Sequence, residues 1–455
     1  MKNTIYYFIF ILFFCSCKES FLELKPNQSI AVPTSLKDFE ALLDNYSDMN
    51  TSSALVLGEL STDDYYLAEA DWNQLANAFE RNGYRWEPNI YEGSQCRGWN
   101  ASYLTILYAN VVLEGVSQIE RDSKNALQWD RVKGAALFFR AWRFFQLAQI
   151  FCDDYDEQSA STKLGIPLKL TSDINETIRR ATISEVYNRI VSDLEEALTH
   201  LPSVAISVTR PSKGAAYALL SRVYLQMKKY ELALVTSNLY LSDFDNLVDY
   251  NNINPINDFS FPIIYNGNGI TEQPLLDQML STRTFSYFFI DTVLLSSYDE
   301  HDLRPQVYFN HDNGHTQFVG SYNGYQSLNS FPATDEIYLI KAECLARQGE
   351  ETEALNTLNI LLGKRYETGT YIIKTIENTP NVLAEVIKER RKELVFRGVR
   401  WSDLRRFRTD SQFASILERK IGSTSYRLSP DQERLYTWPI PDNVIALSNI
   451  EQNPR

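Results

Sequence analysis

The chain has 455 residues and a formal net charge of −14. This acidic balance argues against a nucleic-acid partner and against binding to an anionic lipid surface. With 4 histidines, metal or acid–base chemistry based on imidazole has little to build on, whereas 27 Tyr, 24 Phe and 7 Trp supply many aromatic rings. So many tyrosines predict that some rings are partly exposed, because Tyr combines an apolar face with a hydrogen-bonding hydroxyl.

The first residues predict an export signal. A basic residue precedes the apolar run from Ile5 to Phe14, which is too short to span a bilayer. The run ends at Cys15-Ser16-Cys17, which resembles a bacterial lipobox with Cys17 as the lipidated first residue of the mature chain. We expect residues 1–16 to be a signal peptide and residues 17–35 a lipidated tether, with an ordinary cleaved signal as the alternative. By analogy with such lipoproteins, the lysine after the cysteine favours the outer membrane.

The next hundred or so residues predict helices on either side of one loop-rich stretch. A first helix is expected near Leu36 to Tyr46. Residues 58–100 mix aromatic side chains with Asp, Asn and Gly and show little periodicity, so we expect loops and short helices there. Apolar residues recur with helical periodicity from Trp99 to Val116 and from Val132 to Phe151. These two segments are expected to form helices that pack as a pair.

Residues 211–241 carry the clearest signal for a helix pair. Ser212 offers an N-cap, and a short polar run near Lys228 separates two apolar-periodic segments. The small residues Ser221 and Ala233 lie twelve positions apart, which is the spacing of tetratricopeptide repeats. Small side chains at these points let the two helices approach closely.

A second copy of this spacing occurs at Ala342 and Ala354, with Gly349 in the turn between the helices. The second copy lies 121 positions later (354 minus 233), so a large segment separates the two pairs. We assign this insertion to residues 251–333, which are rich in Asn, Gly, Pro and Tyr. Insertions in helical arrays tend to cluster on one face, which is often the binding face.

The end of the chain predicts one more helix and an irregular tail. The helix begins at Pro380, and Gly398 suits its C-terminal cap. Opposite charges recur at three-residue spacing, as in Glu389 with Lys392, and this pattern is typical of a solvated helix face. The tail from Tyr436 is interrupted by prolines and is expected to pack as extended coil.

Several short motifs follow one another in a characteristic order. They are the lipobox ending at Cys17, Arg140–Phe145, Ser184–Tyr187 with Asp193-Leu194, Ala342-Glu343, Glu389–Phe407, and the tail Pro439–Pro454. Their order, rather than any one of them, resembles the SusD/RagB family of outer-membrane nutrient-binding lipoproteins over nearly the whole mature chain. One departure is Arg397 before Gly398, where the family usually has Glu.

The resemblance implies a mainly α fold of about four tetratricopeptide-like helix pairs that carry an irregular, loop-rich ligand-binding region. An N-terminal region would occupy residues 36–250 and a C-terminal region residues 251–455. It further implies capture of an oligosaccharide, or less often a peptide, at the cell surface for a SusC-like TonB-dependent transporter, on which such proteins act as a lid. A scaffold-only repeat lipoprotein and a glycosidase are the alternatives from other classes.

The candidate binding residues come from the two aromatic-rich irregular segments. A sugar ring presents a flat patch of C–H groups that stacks on an aromatic ring, and its hydroxyls bond to Asn, Asp, Gln or Arg. We predict ligand contacts from Tyr66, Trp72 and Asn73 in the first segment and from Tyr287 and Tyr322 in the second. The alternative for each ring is packing of its loop onto the helices, which we expect for Trp86 and Trp99.

Catalytic and metal signals are weak. No HExxH, GxSxG or phosphate-binding glycine motif occurs, so we expect neither an enzyme nor a cofactor. The adjacent Asp63 and Asp64 do not report the carboxyl separation that a glycosidase needs. An Asn-Gly turn between His311 and His315 removes the helical geometry of a zinc pair, and the acidic run 153–157 lacks the glycine of a calcium loop. The remaining cysteines are expected to be buried free thiols: Cys96, Cys152 and Cys344.

Overall fold

The computed structural model describes residues 33–254, 259–262, 272–279, 288–312 and 314–455. The predicted signal peptide, Cys17 and nearly all of the tether lie outside these ranges, as does Tyr287. Within them, no helix is both long and apolar enough to cross a bilayer.

The fold is mainly α, as predicted. The helices are α1 (Leu36–Leu43), α2 (Tyr46–Met49), α3 (Leu55–Glu59), α4 (Glu69–Gln74), α5 (Ala78–Tyr84), α6 (Arg97–Ser117), α7 (Ala126–Phe151), α8 (Ile183–His200), α9 (Lys213–Gln226), α10 (Tyr230–Leu241), α11 (Thr292–Leu295), α12 (Arg304–Tyr308), α13 (Thr334–Arg347), α14 (Glu351–Leu362), α15 (Val382–Glu393), α16 (Arg400–Phe407) and α17 (Asp442–Ser448).

The strands of the described ranges are short and form antiparallel two-stranded ladders. They are β1 (Tyr65–Tyr66), β2 (Leu164–Pro167), β3 (Arg180–Thr182), β4 (Gln278–Met279), β5 (Phe289–Ile290), β6 (Phe309–Asp312), β7 (His315–Phe318), β8 (Leu328–Asn329), β9 (Leu417–Ile421) and β10 (Thr424–Leu428). The pairs are β1–β5, β2–β3, β4–β8, β6–β7 and β9–β10.

Helix α7 is the centre of the N-terminal half. Every residue from Gly134 to Phe151 is buried, because α6 and α8 pack along it and α1, α3 and α9 also contact it. Two arginines lie within this buried stretch. One of them, Arg140, makes a bidentate ion pair with Asp193 of α8, and each of its two hydrogen bonds measures 2.8 Å. Charge-assisted pairing of this kind offsets the desolvation of both groups.

The two predicted tetratricopeptide-like pairs are present as α9–α10 and α13–α14. Ser212 caps α9 by accepting a hydrogen bond from the Ala215 backbone N–H at 3.2 Å. The paired small residues are fully buried between their helices: Ser221, Ala233, Ala342 and Ala354. Helix α10 also packs on α13, so the two pairs are neighbours in space although the insertion separates them in sequence.

The prediction that the charged face of α15 is solvated is wrong. Glu389, Arg390, Lys392 and Glu393 are all buried rather than solvated. The buried Arg304 guanidinium binds Glu389 at 2.6 Å and Glu393 at 3.2 Å, so the insertion supplies part of the charge that compensates this face. The spacing of charges along one helix carries no information about such a distant partner.

Two boundaries near the end of the chain also differ from prediction. Helix α15 ends at Glu393, and Gly398 lies beyond it with φ +72°, close to Leu55. The tail is not all extended coil, because α17 forms at Asp442–Ser448 and Asn449 ends it in the left-handed region with φ +56°. A proline at the entry and a left-handed asparagine at the exit are local helix signals that the extended-coil prediction overlooked.

Candidate functional site

The two aromatic-rich irregular segments meet in an antiparallel ladder. Strand β1 pairs with β5, so that Tyr65 lies opposite Ile290 and Tyr66 opposite Phe289. The Asp291 backbone N–H extends the ladder by donating to the Asp64 carbonyl oxygen at 2.9 Å. Loops that are distant in sequence therefore form one surface.

An aromatic ridge, defined as Tyr66, Phe289 and His315, runs across this ladder. Tyr66 is 38 % exposed, and its ring centroid lies 5.6 Å from that of Phe289. The exposed His315 ring stacks on Phe289 with centroids 3.9 Å apart and planes 18° apart. The ridge thus presents flat ring surface to solvent, which is the shape complement of the C–H face of a sugar.

Trp72 belongs to a second group, the Trp72–Arg85–Tyr426 stack. The half-buried indole donates its Nε1–H to the Arg81 carbonyl oxygen at 3.2 Å, which fixes the ring. The Arg85 guanidinium lies 4.9 Å from the Trp72 ring centroid and 5.4 Å from that of Tyr426 on β10. Such cation–π contacts hold both rings in place and leave a partly exposed charge between them. Asn73, the next residue on α4, is exposed.

Arg419 on β9 ties down the first aromatic segment, which contributes Tyr66 to the ridge and Trp72 and Arg85 to the stack. Its guanidinium donates to the backbone carbonyl oxygens of Leu60, Thr62 and Tyr84, and the Leu60 bond measures 3.0 Å. It also lies 3.7 Å from the Tyr84 ring centroid and 4.7 Å from that of Trp86. One arginine from the C-terminal region therefore holds the first aromatic segment rigid.

The structure corrects the prediction for Tyr322. Its side chain is 1 % exposed, and its hydroxyl donates to Glu272 at 3.0 Å and to Asp335 at 2.8 Å as alternative acceptors. The Arg397 guanidinium lies 4.4 Å from the ring centroid. Burial raises the pKa of the Tyr322 hydroxyl well above its usual value, and the nearby Asp335 and Glu272 charges add to the effect. The ring belongs to the core and presents no surface to a ligand.

The remaining predicted residues lie either outside the described ranges or in the core. Tyr287 and Cys17 lie outside the described residues, so both stay predictions. Trp86 and Trp99 are buried, as expected of core residues. Three positions after Tyr322, Tyr325 is 47 % exposed, and it is therefore the ring that this loop offers to solvent.

Asp63 and Asp64 lie beside β1 but are occupied by arginines. Arg400 binds both oxygens of Asp63 at 2.7 and 2.8 Å, and Arg391 approaches Asp64 at 3.3 Å. Burial raises the pKa of Asp64 to about 6, with Arg391 opposing the shift. Two carboxylates paired in this way brace the loop; they do not face each other across an open cleft as glycosidase carboxylates do.

The histidines of the β6–β7 hairpin have separate partners. His311 bonds through Nδ1 to the Thr316 hydroxyl at 2.9 Å, whereas His315 belongs to the aromatic ridge. Among the described residues, no group of three His, Cys, Asp or Glu side chains is placed to hold a metal ion. Cys96, Cys152 and Cys344 are buried free thiols, and burial raises the pKa of Cys96 to about 11.

Sequence reasoning missed Arg85, Phe289, His315 and Tyr426. Phe289 and His315 come from the second irregular segment and Tyr426 from the C-terminal hairpin. An aromatic residue beside alternating polar ones was the available signal at Tyr426. That signal does not reveal which distant ring or cation completes the group.

The fold and this surface define a class: a tetratricopeptide-like helical protein with loop-borne aromatic rings gathered on one ladder. Residues 20–225 match a family described as "Starch-binding associating with outer membrane", and residues 333–455 match one described as "SusD family". Together the matches cover well over half of the chain. The protein belongs to the SusD/RagB family, which is a carbohydrate-binding family.

Individual relatives agree with this assignment. SusD-like protein P2 of Formosa agariphila is 24 % identical over 419 residues, covering 78 % of this chain and 79 % of that protein. SusD-like protein P38 of the same organism is 23 % identical, covering 86 % of this chain and 88 % of that protein.

Solved structures show the same fold. A SusD superfamily protein from Bacteroides thetaiotaomicron superposes with a TM-score of 0.73 at 21 % identity, covering 92 % of this chain and 100 % of its own. A putative sugar binding protein from Bacteroides vulgatus superposes with a TM-score of 0.71 at 22 % identity, covering 93 % and 99 %.

Proposed function

We propose that this protein captures oligosaccharide at the bacterial surface and passes it to a SusC-like TonB-dependent transporter in the outer membrane. The β1–β5 ladder carries the proposal, because it unites two aromatic-rich segments and leaves Tyr66 and His315 facing solvent. Sugar rings would stack on the aromatic ridge, while Asn73 and Arg85 would bond to hydroxyls at its side. Cys17 would carry the lipids that hold the protein in the membrane.

Affinity is expected to be modest and to depend on several rings at once. Each stacking contact contributes about 1 kcal/mol, by analogy with aromatic pairs. A short oligosaccharide that spans the ridge and the Trp72–Arg85–Tyr426 stack should therefore bind better than a single sugar. This requirement for length suits a protein that selects polymer fragments for import.

Substitution of Trp72 tests the binding surface. Trp72→Ala should weaken binding of a responsive glycan at least about tenfold, because about 1.4 kcal/mol of stacking and ordering of Arg85 is lost. Isothermal titration calorimetry measures the affinity, after a panel of polysaccharides in affinity gels has identified a glycan that binds.

Trp129 provides a matched control. It is also half-buried, its Nε1–H donates to the Ile119 carbonyl oxygen at 3.0 Å, and Lys133 lies 5.2 Å from its ring centroid. Trp129→Ala should therefore disturb local packing to a similar degree without changing glycan affinity. Equal loss of affinity in both variants, or none in Trp72→Ala, would remove Trp72 from the site.

The same assays separate the alternatives. Release of reducing sugar from a bound glycan would indicate a glycosidase. Binding to peptides but to no glycan in a broad panel would indicate peptide cargo, and binding to neither would leave a scaffold. Delivery requires a partner, so tagged full-length protein isolated from native membranes should co-purify with a TonB-dependent transporter.

A further inference from the structure

A second concave surface lies between α6, the loop that follows β2, and α17. This groove, named here the α6–α17 groove, has a volume of about 570 Å³, and none of its lining residues belongs to the aromatic ridge or to the Trp72–Arg85–Tyr426 stack. Its floor is Trp99, Tyr103 and Leu107, which share one face of α6 because they are spaced four residues apart.

Hydrogen bonds hold the groove in shape. The Asn110 amide donates to the carbonyl oxygens of Lys169 and Thr171, each at 3.0 Å, and the Tyr103 hydroxyl donates to the Pro167 carbonyl oxygen at 2.8 Å. The loop is thereby tied to α6 at three points. These three backbone carbonyl oxygens are therefore occupied, and the open surface of the groove is mainly apolar.

Large apolar side chains stand uncovered at both walls. Ile174 of the loop is 80 % exposed, and Leu447 of α17 is 85 % exposed. Ile178 and Val444 continue the two walls. A rigid apolar groove with exposed aliphatic side chains on both rims has the character of a docking site rather than of an ordinary surface.

We propose that this groove seats the first residues of the mature chain, Phe21 to Leu24. The segment between Cys17 and the described part of the chain contains the apolar cluster Phe21, Leu22 and Leu24. Lys18 and Glu19 precede this cluster, Glu23 interrupts it and Lys25 follows it. The three apolar side chains match the apolar floor of the groove. The charged residues of the segment match Lys169, Asp173 and Glu176, which also line the groove.

The segment is long enough to reach. The described chain begins at residue 33, and α1 packs Phe39 against Gly115 near the end of α6. Tyr103 lies twelve residues back along that helix, or about 18 Å at the rise of an α-helix. Leu24 lies nine residues before residue 33, and this stretch spans up to about 30 Å when extended, so Phe21 to Leu24 can reach the groove.

Seating the segment would orient the whole protein. Cys17 lies four residues before Phe21, so its lipids would enter the membrane within about 14 Å of the groove. The α17 end of the molecule would then face the bilayer. The proposal rests on the proposed function only in taking Cys17 as the lipidated residue.

Disulfide cross-linking tests whether the segment Phe21 to Leu24 binds in the α6–α17 groove. In the mature chain with Cys17→Ser, the pair Leu22→Cys and Leu447→Cys should form a disulfide under mild oxidation. The native thiols do not compete, because Cys96, Cys152 and Cys344 are buried. Leu127 offers a matched control, since it is 86 % exposed and its neighbour Gln128 donates to Glu40 of α1, close to where the described chain begins.

If the groove holds the segment, the Leu22–Leu447 pair should cross-link at least about fivefold faster than the Leu22–Leu127 pair, because docking raises the local concentration of one thiol near the other. Adding Phe21→Ser and Leu24→Ser should make the two rates equal. Equal rates without those changes would overturn the proposal. Glycan affinity of the same variants is measured in parallel. It tests the proposed function independently, so failure of the groove proposal can be told apart from failure of the proposed function.

Discussion

Glu59 lies fully buried at the end of α3, beneath the loop that carries β1. One carboxyl oxygen accepts a hydrogen bond from the Gly398 backbone N–H at 2.7 Å. Burial raises the pKa of Glu59 to about 8, and the nearby negative charge of Asp64 adds to the shift, while Arg400 opposes it. The folded protein therefore holds a proton on Glu59 that the unfolded chain releases near its ordinary pKa of 4.5.

The stability that Glu59 contributes to the fold depends on pH. A raised carboxyl pKa contributes stability that is fully present below about pH 4.5 and is lost as pH rises towards about 8. Glu59→Gln keeps an acceptor for Gly398 and removes the titration. The free energy of unfolding of this variant should exceed that of the wild type by at least about 1 kcal/mol at pH 8 and by much less at pH 5.

Urea unfolding at the two pH values measures the difference. Glu351→Gln, at an exposed position in the first turn of α14, is the control and should show no such pH dependence. A Glu59→Gln effect of the same size at both pH values would show that the carboxyl group does not titrate in this range.

At the scale of the element, each of the two helix pairs is joined by a turn that contains a residue with positive φ. Gly349 joins α13 to α14 with φ +83°, and a Cβ at this position would meet no other atom within 4 Å. The cost of a side chain there is therefore conformational and not steric. Lys228 has the equivalent place between α9 and α10, with φ +58°. One turn therefore uses glycine at this position, and in the other the Lys228 backbone is strained.

Gly349→Ala should accordingly destabilise the protein by about 1 kcal/mol, because an L side chain is strained at this φ value. Gly349→Asn should lose less, since asparagine tolerates the left-handed region better than alanine does. Thermal unfolding followed by circular dichroism measures both. A neutral alanine variant would mean that the turn relaxes to another geometry.

For the whole molecule, a buried ion network ties the insertion to helix α15. Arg304 of α12 is fully buried and binds Asp302 at 2.7 Å as well as the two α15 glutamates. Arg365 joins the same network through Glu393 at 2.7 Å. Burial alone would raise the pKa of Glu389, but Arg304 and Lys392 bring it down to about 2. The network thus docks the insertion, and with it β5, onto the helical scaffold.

Arg304→Leu should cost about 3–5 kcal/mol, because it removes one of the two cations that each of the buried carboxylates of Asp302, Glu389 and Glu393 binds. Chemical denaturation measures the loss. Arg121→Leu is the control: Arg121 is 50 % exposed in its ion pair with Asp130, and its removal should cost less than about 1 kcal/mol. Similar losses in both variants would show that the buried network contributes no more than a surface pair.

The network also predicts how acid affects the wild type. A depressed carboxyl pKa contributes stability that is present above the ordinary value of 4.5 and is lost as pH falls towards about 2. Below pH 4.5 the advantage of the wild type over Arg304→Leu should therefore shrink. A constant difference between the two proteins across this range would contradict the assignment of Glu389 as the titrating partner.

The sequence by itself determined the helix pairs, their caps and the family. Ser212, Gly349 and the buried small residues act through local backbone geometry and spacing of four and twelve, so a single segment contains the whole signal. The sequence also indicated that aromatic rings would gather in two irregular segments. Tyr66 and Trp72, which were predicted from these segments, are at least partly exposed in the structure, and their contact with a ligand stays a prediction.

Only the tertiary structure decided which rings face solvent and which charges are buried. Tyr322 enters the core because Glu272, Asp335 and Arg397 converge on it from three separate segments. Phe289 reaches the ridge because β5 pairs with β1 across more than two hundred residues. The energies of such contacts depend on distance in space, and no pattern along one segment of the chain reports that distance.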